Sequence, residues 1–156
     1  MPSRRDLIRM TPQEVATYLA EQRRIIIVSN GPHGLPHPVP MNYGVDDQGR
    51  VVITSFARSQ KVRNLERDPR ATLLVESGGR YHELKAVILY CDAEILREPE
   101  VVRTLMGDIR ADQTLTEAKT ERMDEQIRAS MAKRVVIRLT PFRTVSWDHA
   151  KLGATY

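Results

Sequence analysis

Cysteine is almost absent from this 156-residue chain, where Cys91 stands alone. A single thiol excludes an internal disulfide framework and any zinc site built on paired cysteines. Because it follows the apolar run Val87-Ile88-Leu89-Tyr90, it reads as a buried structural thiol in a reducing compartment. Aromatic residues are scarce as well, at 5% of the chain. Tyr18, Tyr43, Phe56, Tyr81, Tyr90, Phe142, Trp147 and Tyr156 are scattered and form no set of stacking platforms. The net charge of +4 is therefore weak support for a nucleic-acid partner, and none is expected. No apolar run approaches the ~18 residues that cross a bilayer, and the opening Met-Pro-Ser-Arg-Arg-Asp lacks the apolar core of a secretory signal. A cytoplasmic protein without membrane contact is expected. Also missing are the glycine-rich dinucleotide and P-loop fingerprints and the nucleophile elbow of hydrolases. His33 and His37 are four apart, but Pro32, Gly34, Pro36 and Pro38 forbid a helix there, and His82 and His149 are distant in sequence. No metal centre is expected.

What the chain does hold is regular punctuation. Thr11-Pro12-Gln13-Glu14 has the pattern of a capping box, opening a helix with Val15, Tyr18 and Leu19 on one face. Residues 24–29 are a β-branched run suited to a buried strand, ended by the turn Asn30-Gly31-Pro32-His33-Gly34. Residues 38–45 and 50–56 flank Asp46-Asp47-Gln48-Gly49, which reads as a second hairpin. Another strand is predicted over 71–76, then the turn Ser77-Gly78-Gly79, then a long strand over 84–96 that bends or bulges near Cys91-Asp92. Pro99 opens a helix whose apolar side carries Val101, Val102, Leu105 and Met106. A further helix is predicted from about Thr116, with Met123, Ile127 and Met131 as a core stripe. The last strand, 134–147, alternates Val135, Ile137 and Leu139, and Pro141 marks an edge, bulge or bend in it. Six strands joined by short turns, with helices at the start, middle and late part, predict a mainly β, antiparallel barrel decorated by peripheral helices. The length suits one domain over 1–156.

The richest segment chemically is Arg58-Ser-Gln-Lys-Val-Arg-Asn-Leu-Glu-Arg-Asp-Pro-Arg70, directly after the strand at 51–56. Ser59 stands where it would cap a helix starting at Gln60. First-turn N–H groups, the positive end of the helix dipole, Arg58 and Lys61 would then converge on one point, which suits a phosphate. Without that role the segment is an amphipathic connector, with Val62 and Leu65 buried and Asp68-Pro69 ending it. No nucleophile, base or metal accompanies this cradle, which points to a cofactor bringing its own reactivity.

The run Thr54-Ser55, Ser59-Gln60-Lys61, Asn64-Leu65 and Asp68-Pro69-Arg70, followed by a strand, resembles the split β-barrel superfamily typified by pyridoxamine 5′-phosphate oxidase. Glu83-Leu84-Lys85-Ala86-Val87 and the ending Ser146-Trp147-Asp148-His149-Ala150-Lys151-Leu152-Gly153 are similar to its branch using coenzyme F420. That resemblance implies a six-stranded antiparallel split β-barrel and a homodimer with cofactor sites between subunits. It further implies an oxidoreductase that passes a hydride from reduced F420 to an electron-poor small molecule: an enone, quinone, nitro compound or tetrapyrrole. An FMN-dependent oxidoreductase, and a non-catalytic flavin, deazaflavin or haem carrier, are the alternatives on the same fold. By the same resemblance Lys61 matches the phosphate-binding lysine, and Ser59 and Gln60 occupy serine-arginine positions, with Arg58 beside them to supply the cation that Gln60 lacks. Thr54 and Ser55 match the strand end beside the phosphate, and Val39, Pro40, Met41 and Asn42 match the strand along the ring system. The oxidase's arginine and lysine in that strand are replaced by His37-Pro38-Val39-Pro40-Met41-Asn42. Tyr43, Asn42 and Tyr81 are candidates to bond the ring, and each reads equally as packing.

Overall fold

The structure, a computed structural model, describes residues 1–110, 125–126 and 129–153. Capping boxes at Ser3 and Thr11 open helices α1 (Arg4–Leu7) and α2 (Pro12–Glu21), and α2 buries Tyr18 and Leu19. Among the described residues the strands are β1 (Arg24–Asn30), β2 (Pro36–Asn42), β3 (Gly44–Val45), β4 (Val51–Phe56), β5 (Arg70–Ser77), β6 (Lys85–Leu96) and β7 (Arg134–Asp148). Helix α3 (Gln60–Arg67) joins β4 to β5, and α4 (Pro99–Arg110) follows β6. All pairings are antiparallel, in the order β2-β1-β5-β6-β7-β4-β3.

The strands alternate because one face is buried. Ile25 and Ile27 of β1, Ile53 of β4, Leu73 and Val75 of β5, Val87 and Leu89 of β6, and Ile137 and Leu139 of β7 share one core. That β1 and β4, from opposite ends of the strand order, meet in this cluster shows that the sheet curls round it as a half-barrel. Burial of such aliphatic side chains contributes roughly 1.5–3 kcal/mol each, so the core, not local propensity, holds the curl. Val62 and Leu65 seat α3 against the same core. A smaller cluster of Val52, Leu96, Val102, Met106 and Val136 seats α4 on the outer side of β4 and β7.

Seven strands form where six were expected because residues 38–45 change partners. Up to Asn42 the chain pairs with β1, and from Gly44 it pairs with β4. Between them Tyr43 is buried, and its hydroxyl donates to the Leu19 carbonyl at 2.6 Å, pinning the switch to α2. The long final strand is not ended by Pro141. Instead Pro141 lies opposite Cys91 at a register shift after Tyr90, so the proline without an N–H sits at a bulge. The helix expected from about Thr116, with Met123 and Ile127, lies outside the described residues, whereas Met131 packs on the smaller cluster. None of the described helices is long and apolar enough to cross a membrane.

The half-barrel stays open along one seam. Since β3 pairs only with Val51 and Val52, residues 53–56 of β4 have a strand, β7, on one side alone among the described residues. The opposite rim is β2, whose Pro36, Pro38 and Pro40 share one orientation while the strand pairs with β1 along its length. Their missing donors must point away from β1, so the free edge of β2 has no N–H at those positions with which to zip up the seam.

Candidate functional site

The end of β4 and the start of α3 build a corner from residues close in sequence. Ser59 N–H donates to the Phe56 carbonyl at 3.0 Å, turning the chain, and α3 begins at Gln60 as its sequence predicts. Ser59 has the extended backbone of a capping position, but its side chain bonds no helix N–H. Its Oγ lies 2.9 Å from Ser55 Oγ instead. This departs from the expected side-chain cap, and its consequence is useful: the Ser59 hydroxyl leaves the first-turn N–H groups to other acceptors.

Lys61 reaches back across the corner and donates from Nζ to Ser55 Oγ at 2.9 Å. Ser55 is buried and Lys61 half-buried. A hydroxyl has one donor and two acceptor sites. With Ser55 accepting from Lys61 and donating to Ser59, the Ser59 proton is left to point at a ligand oxygen. Burial, and secondarily the charge of Arg134, hold the Lys61 ammonium below its ordinary pKa. Among the described residues no carboxylate pairs with Lys61, whereas Arg50, Arg70, Arg97, Arg103 and Arg138 each sit on an acid. The corner is thus a half-buried positive charge ringed by neutral hydroxyls, which is what an anion site requires.

Arg134 is the residue the sequence reading missed. It opens β7 opposite Phe56, and its guanidinium carbon lies 4.3 Å from the Phe56 ring centroid. Ala57 N–H donates to the Lys133 carbonyl at 2.9 Å, tying the turn to the same strand end. Only the β4–β7 pairing, spanning about eighty residues of sequence, brings it here; a charged residue at the mouth of an apolar alternating strand was the available signal.

The other expected residues divide. Thr54 is half-buried one residue before Ser55, and Arg58 is exposed on the turn. Gln60 turns away, donating from Nε2 to Asn64 Oδ1 at 2.8 Å. Asn64 is wholly buried and donates from Nδ2 to Ser29 Oγ at 3.0 Å, fastening α3 to β1. Arg67 donates to the Asn30 carbonyl at 2.6 Å, so it too is a fastening and faces away from the corner's cations. Val39, Pro40, Met41 and Asn42 lie on β2 opposite β1, with Val39 and Met41 against the core and Pro40 and Asn42 exposed. No hydrogen bond among the described residues joins them to Ser55 or Lys61, although β3 follows Asn42 after one residue and pairs with β4 two residues before Thr54. Tyr43 is core, as its bond to Leu19 shows, and burial raises its pKa. Tyr81 is exposed, stacked edge-on against His149 at 4.7 Å, and its carbonyl lies 2.7 Å from His149 Nδ1. Cys91 is buried and its thiol is pushed up to about 12, chiefly by burial.

Two surface grooves of about 310 and 330 Å³ lie elsewhere: one between the Asp46–Arg50 turn and α4, the other beside Asn30, Arg70, Tyr90 and Phe142. Neither is lined by Ser55, Ser59 or Lys61, which lie at the end of β4 where that strand has β7 as its one partner among the described residues.

A protein-family model described as pyridoxamine 5′-phosphate oxidase matches residues 11–148. The 5a,11a-dehydrotetracycline/5a,11a-dehydrooxytetracycline reductase of Streptomyces rimosus is 31% identical over 141 residues, covering 86% of this chain and 81% of the relative. A conserved hypothetical protein from Mycobacterium tuberculosis has a crystal structure with a TM-score of 0.84 and 35% identity, covering 99% of this chain and 95% of that one. A structure described as an F420 reductase superposes with a TM-score of 0.61 at 22% identity, covering 82% of this chain and 93% of the other, and at that identity it bears on the fold alone. The curled antiparallel sheet is the split-barrel fold these proteins share.

Proposed function

The chain belongs to the pyridoxamine 5′-phosphate oxidase family, and from that premise we propose that it is a reductase using coenzyme F420 to reduce an electron-poor small molecule. The observation that carries this reading is the Lys61 ammonium, half-buried and, among the described residues, bonded to a neutral hydroxyl and to no carboxylate, at the head of an eight-residue helix. A phosphate would gain the lysine, the Ser59 hydroxyl and the first-turn N–H groups together. The reductase relative from Streptomyces rimosus, whose name denotes reduction of a dehydro compound, supports oxidoreductase chemistry. The family's oxidase activity fits less well, since the segment His37 to Asn42 carries neither arginine nor lysine.

When bound, the deazaflavin supplies the hydride. The protein's part is to hold the phosphate with Lys61 and Ser59, to offer the unpaired rim of β4 from Thr54 to the ring-bearing end, and to exclude water. Val39, Pro40, Met41 and Asn42, on the opposite rim, are proposed to line the ring. Arg58 is proposed to reach the anionic end of the cofactor from the solvent side.

Exclusion of water is proposed to come from a second copy. The outer face of the sheet carries an apolar row across five strands in register, Pro40, Ile26, Leu74, Ile88 and Val145, each half-buried or exposed in the single chain. Burying such a face against its twin would form a homodimer and bring another wall towards the seam. Titration of the purified protein with F420 and with FMN, read by fluorescence and absorbance, tests the cofactor. Micromolar F420 binding with weaker FMN binding is expected; tight FMN with no F420 binding would move the protein to the flavin branch, and binding of neither would end the reading.

A further inference from the structure

Ser29, Ser55 and Asn64 are the buried polar side chains among the described residues, and α3 gathers all three at one end of the half-barrel. Its first turn holds β4 through Lys61 Nζ and Ser55 Oγ at 2.9 Å, and its second holds β1 through Asn64 Nδ2 and Ser29 Oγ at 3.0 Å. Three residues of helix rise only about 4.5 Å, so α3 bridges the two strands over a short span. In the curled sheet the strand beyond β1 on its open side is β2, and His37 of β2 stands directly opposite Ser29. Directly opposed residues share a face, and side chains alternate along a strand. His37 therefore faces the inner side with Ser29 and with Val39 and Met41, which pack on the core.

His37 is half-buried, and no hydrogen bond or ion pair with another described residue holds its ring. The other histidines are placed differently: His33 is exposed in the turn, His82 lies beside Glu83, and His149 lies on the Tyr81 carbonyl. His37 is also the one ionisable side chain of β2. The neighbouring strand β1 offers it the neutral Ser29 and Asn30. The charged groups of α3 and its end are Lys61, Arg63, Glu66, Arg67 and Asp68. Of these Arg63 is exposed, Glu66 is paired with Arg97, Arg67 donates to the Asn30 carbonyl, and Asp68 is held by Asn30 and Arg70. Both carboxylates are thus already taken.

Resting on the phosphate site proposed above, we infer that His37 is a further binding residue of that site, its protonated imidazole meeting the phosphate ester from β2 while Lys61 and Ser59 meet it from α3. A bound anion favours the protonated form of an imidazole. Binding then takes up a proton wherever the free ring is neutral, so the contribution of His37 falls as the pH rises.

Titration of the wild-type protein, His37→Gln and His37→Arg with F420, FMN and riboflavin from pH 6 to pH 8.5 tests the assignment. Dividing each variant's dissociation constant by the wild-type value at the same pH cancels the titration of the ligands themselves. His37→Gln is expected to bind both phosphorylated ligands about tenfold more weakly at pH 6 and within about twofold of wild type at pH 8.5. Riboflavin, which has no phosphate, should stay within about twofold throughout. His37→Arg, a permanent cation, is expected to match wild type at pH 6 and to exceed it at pH 8.5; it also serves as the readout should His37→Gln fail to fold. The inference is overturned if these ratios do not change with pH, if riboflavin changes in parallel, or if His37→Arg binds no better than wild type at pH 8.5. Wild-type protein that binds neither F420 nor FMN would instead overturn the phosphate reading on which the inference rests.

Discussion

Replacing Lys61 by methionine separates what this side chain costs from what it does. Its ammonium is half-buried, donates 2.9 Å to Ser55 Oγ, and has its pKa lowered first by burial and then by Arg134. A lysine whose folded pKa lies below its unfolded value takes up fewer protons when folded than when unfolded in the interval between the two. Stability therefore rises with pH across that interval, and below it the whole burial penalty is present. At neutral pH the charged lysine destabilises the unliganded protein. Methionine keeps most of the apolar stem and removes the charge, so Lys61→Met is expected to melt higher than wild type at pH 7, with the gap closing towards pH 10.5. Under the proposed phosphate site the same change removes a charge-assisted hydrogen bond of about 1.5–3 kcal/mol, which predicts a loss of roughly 10- to 150-fold in affinity. Thermal melts at pH 7 and pH 10 measure the first effect and F420 fluorescence titration the second. A variant that melts lower at both pH values by the same margin, or that binds F420 as tightly as wild type, refutes the reasoning.

Other expectations follow from the packing around this corner. Asn64→Ala removes a wholly buried partner of Ser29 and Gln60; a cost of about 1–3 kcal/mol is expected, or roughly 2–10 °C of melting temperature, with weaker cofactor binding because α3 loses its fastening to β1. Cys91, buried with its thiol raised to about 12, is expected to be unreactive to a thiol reagent in the native protein and fully reactive in denaturant. Gly78 has φ +103°, and a Cβ there would lie 2.3 Å from the Glu83 carbonyl oxygen; Gly78→Ala is expected to cost at least about 1 kcal/mol in a denaturant titration. Ile88→Asp, in the middle of the outer apolar row, is expected to turn a dimer into a monomer by sedimentation, and a wild-type monomer would remove the proposed interface.

Local patterns were legible in the sequence wherever the causes were local. The capping box at Thr11, the start of α3 at Gln60 and the end at Asp68-Pro69 each depend on residues within a few positions, whereas the bulge near Cys91 is set opposite Pro141 on another strand. Partner exchange at Tyr43 was not legible, because it is fixed by the Leu19 carbonyl on another element. Ser59 likewise reads as a cap until Ser55 is known to lie 2.9 Å away and to compete for its hydroxyl. Arginines look alike in sequence: only the fold distinguishes Arg67, consumed on the Asn30 carbonyl, from Arg134, carried to the corner by β7.

The open seam and the cationic corner have one physical origin. Antiparallel sheets normally close their edges by pairing, and a barrel with paired rims would bury the polar backbone of residues 53–56 within the ladder. Prolines at 36, 38 and 40 deny β2 the donors for that closure, while β3 stops after Val45. The same interruption that leaves the rim of β4 without a second strand among the described residues leaves its last residues free to turn sharply into α3. Ser55, Ser59 and Lys61 are thereby gathered at the mouth of the seam instead of being spread along a strand. Filling in the seam chemically should couple the two. Replacing Pro36 and Pro38 by threonine restores donors on the free edge of β2, and if the rims then pair, cofactor affinity should fall although every residue of the cationic corner and of the proposed ring-lining segment is retained.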